Sequence, residues 1–347
     1  MGYTIFDMVN AKEVTMYWDT LARQRPPYML ESKFPAISQL GSDVSWLKGK
    51  SGIPKVLKMS AFDVQAIPRQ RIGFERMQTE MPFFKESMYI DEKLRQELNR
   101  VLETGNRSYI DAVLNRVFND TTTLLEAASV ARERMRASLI TTGAITLESN
   151  GQIYSVDYGL DAAQKPTVAK AWSDPETSII DDVREWQDLI EENTGVRPTE
   201  AICTRKTWNY FVRNKEIRNA ILGNDTAVAV PESAVKSYIM STLDLSVTVY
   251  SKRYVDEEGN THPFIADDTF ILIPPGKLGN MVFGTTPEQA DLMGSNAIDN
   301  VSITDTGVAV TTMRKADPVN VETKVTMLCM PTFEAADQII IADLTTA

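Results

Sequence analysis

The sequence predicts an α+β fold in which long stretches of strand and helix follow one another. Residues 43–90 read as extended, and residues 301–347 contain several strand-like runs. Residues 108–140 have apolar side chains at helical spacing, with neither glycine nor proline among them. Between residues 170 and 275 short strand patterns alternate with helical ones, which indicates an α/β unit.

The composition is that of a globular protein with a sizeable core. The 347 residues are 43% hydrophobic and 24% charged, and this length favours two joined domains with extensions. The net charge of -11 opposes sequence-independent binding to nucleic acid phosphates. It is compatible with the wall of a container for nucleic acid and equally with an ordinary soluble protein, and charge alone favours the soluble protein. We expect neither a signal peptide nor a membrane span, and therefore a cytoplasmic protein, because no long apolar run occurs.

The two N-terminal segments are predicted to depend on contacts from outside themselves. Residues 1–42 are expected to form an arm with a short amphipathic helix within 7–24, which packs on its own domain or on a neighbour. Residues 43–90 are predicted to form an extended loop, with strands at Val56–Ser60 and Val64–Pro68. Because a two-stranded excursion has no core of its own, it needs stabilising contacts elsewhere.

Two segments follow in which apolar residues recur at helical spacing and form a stripe along one face. The first has Leu94, Leu98, Val101 and Leu102 on one face and ends at a glycine-asparagine pair. The second, at 108–140, predicts a helix about 48 Å long, because each residue adds about 1.5 Å. Its weak point is a run of three threonines at 121–123, since β-branched residues are poorer helix formers. A long core helix and a coiled-coil helix both remain compatible with this pattern.

The remaining elements complete the α+β pattern. Asn150-Gly151 predicts a hairpin turn, and Asp174 is predicted to cap a helix that starts at Pro175 and ends at Gly195. In order, the other predictions are a strand at 201–203, a helix containing Trp208 and Phe211, helices at 217–222 and 231–241, a strand at 245–250, a hairpin tip at 256–260, and strands at 269–273, 308–313, 320–330 and 338–342.

Residues with catalytic or ligand-binding chemistry are sparse. The single histidine, His262, stands beside a hairpin tip and is predicted to be a solvated side chain. Cys203 and Cys329 lie in apolar runs, so we expect reduced, buried thiols. No motif for a metal site or a phosphate loop is present. We therefore predict no catalytic residue, no cofactor and no metal, although paired carboxylates could still serve a cytoplasmic hydrolase.

Three segments carry a family resemblance. The first is Cys203–Trp208 with Phe211, the second is the hairpin that ends in Ala266–Thr269, and the third is the tail Met330–Leu344. In this order they resemble the major capsid protein of lambda-type tailed phages, the capsid E family with the Hong Kong 97-like fold. The second segment departs from that family's proline-aspartate-asparagine-threonine element, because it reads alanine-aspartate-aspartate-threonine.

The resemblance implies a role for each part of the chain. A major capsid protein of this kind assembles into pentamers and hexamers of an icosahedral shell that encloses double-stranded DNA. The implied parts are an N-terminal arm at 1–42, an extended loop at 43–90, a peripheral domain with a spine helix at 91–159, an α/β axial domain at 160–300 and completing C-terminal strands at 301–347. An encapsulin-like protein shell is the alternative within the same fold.

The resemblance also implies partners and contacts. The main partner is further copies of the chain, and scaffold, portal and decoration proteins are further expectations, with assembly in the host cytoplasm and a final place in the virion capsid. Basic side chains of the extended loop are candidate intersubunit contacts, and solvated charges are the alternative; they are Lys55, Lys58, Arg69, Arg71 and Arg76. Their candidate acceptors on an adjacent copy are Asp181, Asp182 and Glu191.

Overall fold

The computed structural model describes residues 10–48, 75–90, 107–223, 229–292, 300–316 and 319–346, with isolated positions between 56 and 65 and between 92 and 100. Helices and strands are both abundant, so the α+β prediction is confirmed. The chain forms two compact units. Unit 1 comprises Met1–Val44, Gln78–Arg136 and Asn280–Thr332, and unit 2 comprises Ser45–Met77, Ala137–Gly279 and Phe333–Ala347.

The helices and strands follow the predicted order. The α-helices are α1 Ala11–Ala22, α2 Arg107–Thr142, α3 Ile179–Thr194, α4 Arg205–Arg213, α5 Lys215–Leu222 and α6 Glu232–Leu243. The strands are β1 Ala36–Ser38, β2 Asp43–Lys48, β3 Glu75–Glu80, β4 Phe83–Ile90, β5 Ala144–Ser149, β6 Gln152–Asp157, β7 Glu200–Cys203, β8 Ser246–Val249, β9 Arg253–Val255, β10 Thr261–Pro263, β11 Thr269–Ile273, β12 Met281–Phe283, β13 Asn300–Thr304, β14 Val308–Ala316, β15 Val319–Pro331 and β16 Ile340–Asp343.

The main sheet of unit 1 has the order β1-β12-β15-β14-β13. The long strand β15 pairs with β4 through residues 321–328 and with β12 through residues 329–331. The β1–β12 pair is parallel and the other pairs of this sheet are antiparallel. The predicted strands at 308–313 and 320–330 are therefore confirmed as the centre of this sheet.

The amphipathic helix predicted within 7–24 is confirmed as α1, which packs on β13 and β14 of its own unit. The side chain of Asn10 caps it by accepting a hydrogen bond from the backbone N–H of Glu13 at 3.0 Å. Its apolar stripe, including Val14 and Trp18, is buried. The hydroxyl of Thr304 donates to Asp19 at 2.8 Å, so the described part of the arm is fixed to its own chain.

Charged side chains buried on helix α2 hold the arm and the β13–β14 turn in place. Glu133 is fully buried and accepts hydrogen bonds from the guanidinium of Arg136 at 3.3 Å and from the backbone N–H of Leu30 at 3.4 Å. Arg132, also buried, donates to Asp305 in the turn at 2.7 Å. Burial lowers the pKa of Arg136, although Glu133 beside it acts in the opposite direction.

Helix α2 confirms the predicted helix at 108–140 and extends it slightly. It runs for 36 residues through the three threonines. The hydroxyls of Thr121 and Thr122 donate back to main-chain oxygens of the preceding turn, at 3.1 Å to Val117 and at 3.0 Å to Asn119. Gly143 ends the helix in the left-handed conformation, with φ +74°, as the sequence predicts.

Some predicted elements are absent or lie outside the described residues. Within Val56–Ser60, the described positions belong to no strand, so that strand prediction is wrong there. The candidate strand Val64–Pro68 and the first helical stripe fall mainly on residues outside the described part of the chain. Several positions between 92 and 100 that the structure does describe are helical.

In unit 2 a four-stranded sheet, ordered β16-β11-β7-β8, carries the larger core. The core is rich in aromatic rings: Trp172 stacks on Trp186 at a centroid distance of 5.7 Å, and Phe211 lies 5.5 Å from Phe270. The separate hairpin β5–β6 turns at Asn150-Gly151, both with positive φ, as the sequence predicts.

The predicted start of helix α3 is wrong. The helix begins at Ile179, with Ser178 as N-cap, and not at Pro175. Asp174 instead accepts a hydrogen bond from the backbone N–H of Glu176 at 2.9 Å. The carboxylate of Asp174 therefore stabilises a local turn and does not cap the helix. Aspartate side chains readily accept a hydrogen bond from the backbone two residues on. The helix ends at Gly195, as predicted.

The continuity of α2 predicts the effect of a proline in its middle. Thr123 is exposed, so Thr123→Pro changes the helix backbone with little effect on packing. We expect a loss of roughly 3 kcal/mol in the free energy of unfolding, because proline removes a helix hydrogen bond and clashes with the preceding turn. Thr123→Ala is the matched control and should be neutral or slightly stabilising. Equal melting temperatures for the two variants would contradict a continuous helix.

Candidate assembly surfaces

The predicted intersubunit contacts fall largely outside the described residues. Lys55, Lys58, Arg69 and Arg71 lie there, and Arg76 lies in β3 with no description of its side chain. Their role as contacts therefore stays a prediction.

The three acidic side chains that we considered as acceptors all have partners within their own chain. Asp181 pairs with Arg184 at 3.1 Å, and the carboxylate of Glu191 pairs with Arg197 at 2.6 Å. Asp182 accepts a hydrogen bond from the indole N–H of Trp172 at 2.7 Å. An intersubunit pairing at these residues would have to share carboxylates that are already engaged.

Large exposed apolar side chains distinguish the excursion between β2 and β3. Val56 and Leu57 are 87% and 86% exposed, and Met59 and Phe62 are both 99% exposed. Leu40, which precedes β2, is also almost fully exposed. Exposed apolar surface concentrated in one segment is typical of sites that contact another protein. From the sequence we predicted that this excursion needs contacts outside itself, but the candidate contacts that we named were its cations and not these apolar side chains.

The hairpin β9–β10 presents an ordered acidic tip. Asp256 accepts a hydrogen bond from the backbone N–H of Asn260 at 2.6 Å, and its other oxygen lies 2.7 Å from Nε2 of His262. Gly259 takes the positive φ that the turn requires. His262, predicted to be solvated, is half exposed and at the same time paired with Asp256. Glu257 and Glu258 project from this tip and are exposed.

A polar cluster joins the end of the hairpin to helix α4. Thr204, the N-cap of α4, donates its hydroxyl to Asp267 at 2.7 Å. Asp268 takes a positive φ of 60° and accepts hydrogen bonds from Lys206 and from the hydroxyl of Tyr210, both at 2.6 Å. Burial raises the pKa of Asp268, but the two hydrogen bonds and the positive charge of Lys206 together outweigh it and leave the pKa lowered.

Both thiols are buried, as predicted. Burial raises the pKa of Cys203 and of Cys329 to about 12, so neither is a thiolate at neutral pH. Among the described residues, no group of three or more histidine, cysteine or carboxylate side chains is placed to hold a metal ion. No described helix is both long enough and apolar enough to cross a membrane.

A family comparison accounts for nearly the whole chain. The model of the family described as phage major capsid protein E matches residues 10–344. The chain belongs to this family. It is a shell-forming capsid protein, whose place is the virion capsid. Membership also favours a phage capsid over an encapsulin-like shell, and a structural protein over a hydrolase.

Solved structures show the same Hong Kong 97-like fold. The protein assigned as the capsid protein of an E. coli CFT073 prophage has a TM-score of 0.59 at 14% identity, with 97% of this chain and 99% of that chain covered. A phage-related protein of Bordetella bronchiseptica RB50 gives 0.53 at 11% identity, with 94% and 96% covered. The capsid of cyanophage A-1(L) gives 0.52 at 10% identity, with 92% of each chain covered. A comparison with curated protein sequences gave no significant match.

In this capsid protein, the departure from the family's element at Ala266–Thr269 has a local explanation. The element places Asp268 in a left-handed conformation, which asparagine and aspartate tolerate better than most residues. An aspartate there carries a charge, and Lys206 on α4 neutralises it. Sequence reasoning missed this pairing because the two residues lie 62 positions apart.

The lowered pKa of Asp268 predicts a pH dependence of stability. Its carboxylate stabilises the capsid protein above an unfolded-state pKa of about 3.9, and the contribution is lost as pH falls through the lower folded pKa. Asp268→Asn keeps the backbone conformation but not the charge. We expect this variant to melt lower than wild type near neutral pH and to lose less stability between about pH 5 and about pH 2. Parallel melting curves across that range would contradict the assignment.

Proposed function

We propose that the capsid protein self-assembles into pentamers and hexamers of an icosahedral shell that encloses double-stranded DNA. The observation that carries this proposal is the excursion between β2 and β3, whose described apolar side chains are almost fully exposed in the single chain. Each buried Å² of apolar surface is worth about 25 cal/mol, so covering these side chains on a neighbour favours association. Repetition around a closed shell multiplies many such small contributions.

Charge supports the rest of the proposal. A chain with a net charge of -11 forms a wall that is repelled by the phosphates it encloses, so DNA is contained without sequence-specific binding. The protein has no catalytic role in this proposal. Scaffold, portal and decoration proteins would be its other partners, and assembly would take place in the host cytoplasm before the shell becomes part of the virion.

The cations of the excursion would add to these apolar contacts. Lys55, Lys58, Arg69 and Arg71 give the excursion a positive charge in an acidic chain, and Arg76 in β3 follows them directly. On the surface of a neighbouring copy they would meet a predominantly negative field, which speeds association and selects an orientation more than it adds affinity.

Polar substitution of the exposed apolar side chains tests the proposal. In the variant Val56→Ser, Leu57→Ser, Met59→Ser and Phe62→Ser, the melting transition should stay close to that of wild type, because these side chains bury little surface in the monomer. Shells should fail to form when examined by electron microscopy. The matched control is Met16→Ser with Met240→Ser, two exposed apolar positions elsewhere, which should retain assembly.

Two outcomes would contradict the role of the excursion. Normal closed shells from the fourfold serine variant would make its apolar side chains dispensable for assembly. Loss of a cooperative melting transition in the same variant would place them in the core of the monomer.

A further inference from the structure

The hairpin β9–β10 is exposed on one face and anchored on the other. Tyr254 and His262 face one another across the strands at a ring distance of 5.6 Å, and Tyr254 continues onto Phe264 at 5.1 Å. On the opposite face Val255 is 61% exposed, and its cross-strand partner Thr261 is also exposed. The aromatic row holds the hairpin in one orientation while this second face is left uncovered by the described residues.

The tip of the hairpin presents two glutamates on a turn whose backbone is held by hydrogen bonds. The hydrogen bonds from Asn260 and the contact with His262 use the carboxylate of Asp256, so this residue shapes the turn. Glu257 and Glu258 are exposed, and neither has an ion-pair partner among the residues that the structure describes. A preorganised turn presents these charges at a lower entropic cost than a flexible loop would.

Helix α4 offers a basic surface that complements the acidic tip. Its nine residues include three basic side chains and no acidic one. Trp208 and Phe211 are buried on its inner side, so the basic side chains lie outside. Arg205 pairs with Glu232 and Lys206 pairs with Asp268, whereas Arg213 is exposed and has no ion pair within the described part of the chain.

We propose that the acidic tip of one copy docks on the outer face of helix α4 of the next copy, with Glu257 and Glu258 beside Arg213. This inference rests on the proposed function, because the partner is a second copy in the same capsomer. The two patches are different surfaces of one chain, so the contact is heterologous, and in the pentamers and hexamers of the proposed function its repetition closes a ring. Val255 and Thr261 would pack against the neighbour beside this ion pair.

Charge reversal and its compensation test the contact. Glu257→Lys with Glu258→Lys should reduce shell formation about tenfold or more, since a weak attraction becomes a repulsion at every repeat of the ring. Adding Arg213→Glu to this variant should restore most of the shells. The matched control, Glu148→Lys with Glu192→Lys, makes the same change in net charge on other exposed positions and should assemble normally. Particles are counted by electron microscopy, and melting curves confirm folding.

The possible outcomes distinguish a failure of this contact from a failure of the proposed function. Rescue by Arg213→Glu supports the contact. Normal shells from the tip variant, a tip variant that Arg213→Glu does not rescue, or equal loss in the control would each overturn it and leave the shell function standing. A wild-type chain that forms no shells would overturn the proposed function, and this inference with it.

Discussion

The buried charges of helix α2 tie the arm and the β13–β14 turn of unit 1 to one helix. Removing Arg132, Glu133 and Arg136 from water is costly, so their partners must be in place whenever the unit is folded. Those partners are distant in sequence, because Glu133 is bonded by the backbone of Leu30 and Arg132 by Asp305. The arm and the β13–β14 turn are therefore committed to their own chain. Such a network specifies one arrangement more than it adds stability.

Because the arm and the β13–β14 turn are bonded within their own chain, other segments must provide the contacts of assembly. The described arm buries its apolar stripe on the sheet of its own unit, whereas the described residues of the excursion leave theirs exposed. In the sequence neither segment has a core of its own, so both were predicted to depend on contacts elsewhere. In the structure they differ: the described arm packs against its own unit, whereas the described residues of the excursion leave apolar surface exposed that a neighbouring copy could cover. The same distinction applies to the hairpin β9–β10, whose aromatic face is anchored and whose tip is not.

Local patterns determined most of the secondary structure. The periodicity of 108–140 and the Asn150-Gly151 turn were sufficient because both depend on neighbouring residues alone. The start of α3 was predicted wrongly, since the carboxylate of Asp174 makes a turn in place of a cap. The ion pair between Lys206 and Asp268 and the contacts of Glu133 could not be predicted, because they join residues that only the fold brings together. The positive charge of the excursion could be read from the sequence, but the exposure of Met59 and Phe62 could be seen only in the structure.

Sedimentation velocity of the purified wild-type chain, with electron microscopy of the same sample, tests most directly whether this protein builds a shell from copies of itself. We expect capsomers and closed particles of megadalton mass, with little free monomer once assembly is induced. A single species the size of a monomer or a small oligomer, under every condition tried, would contradict it.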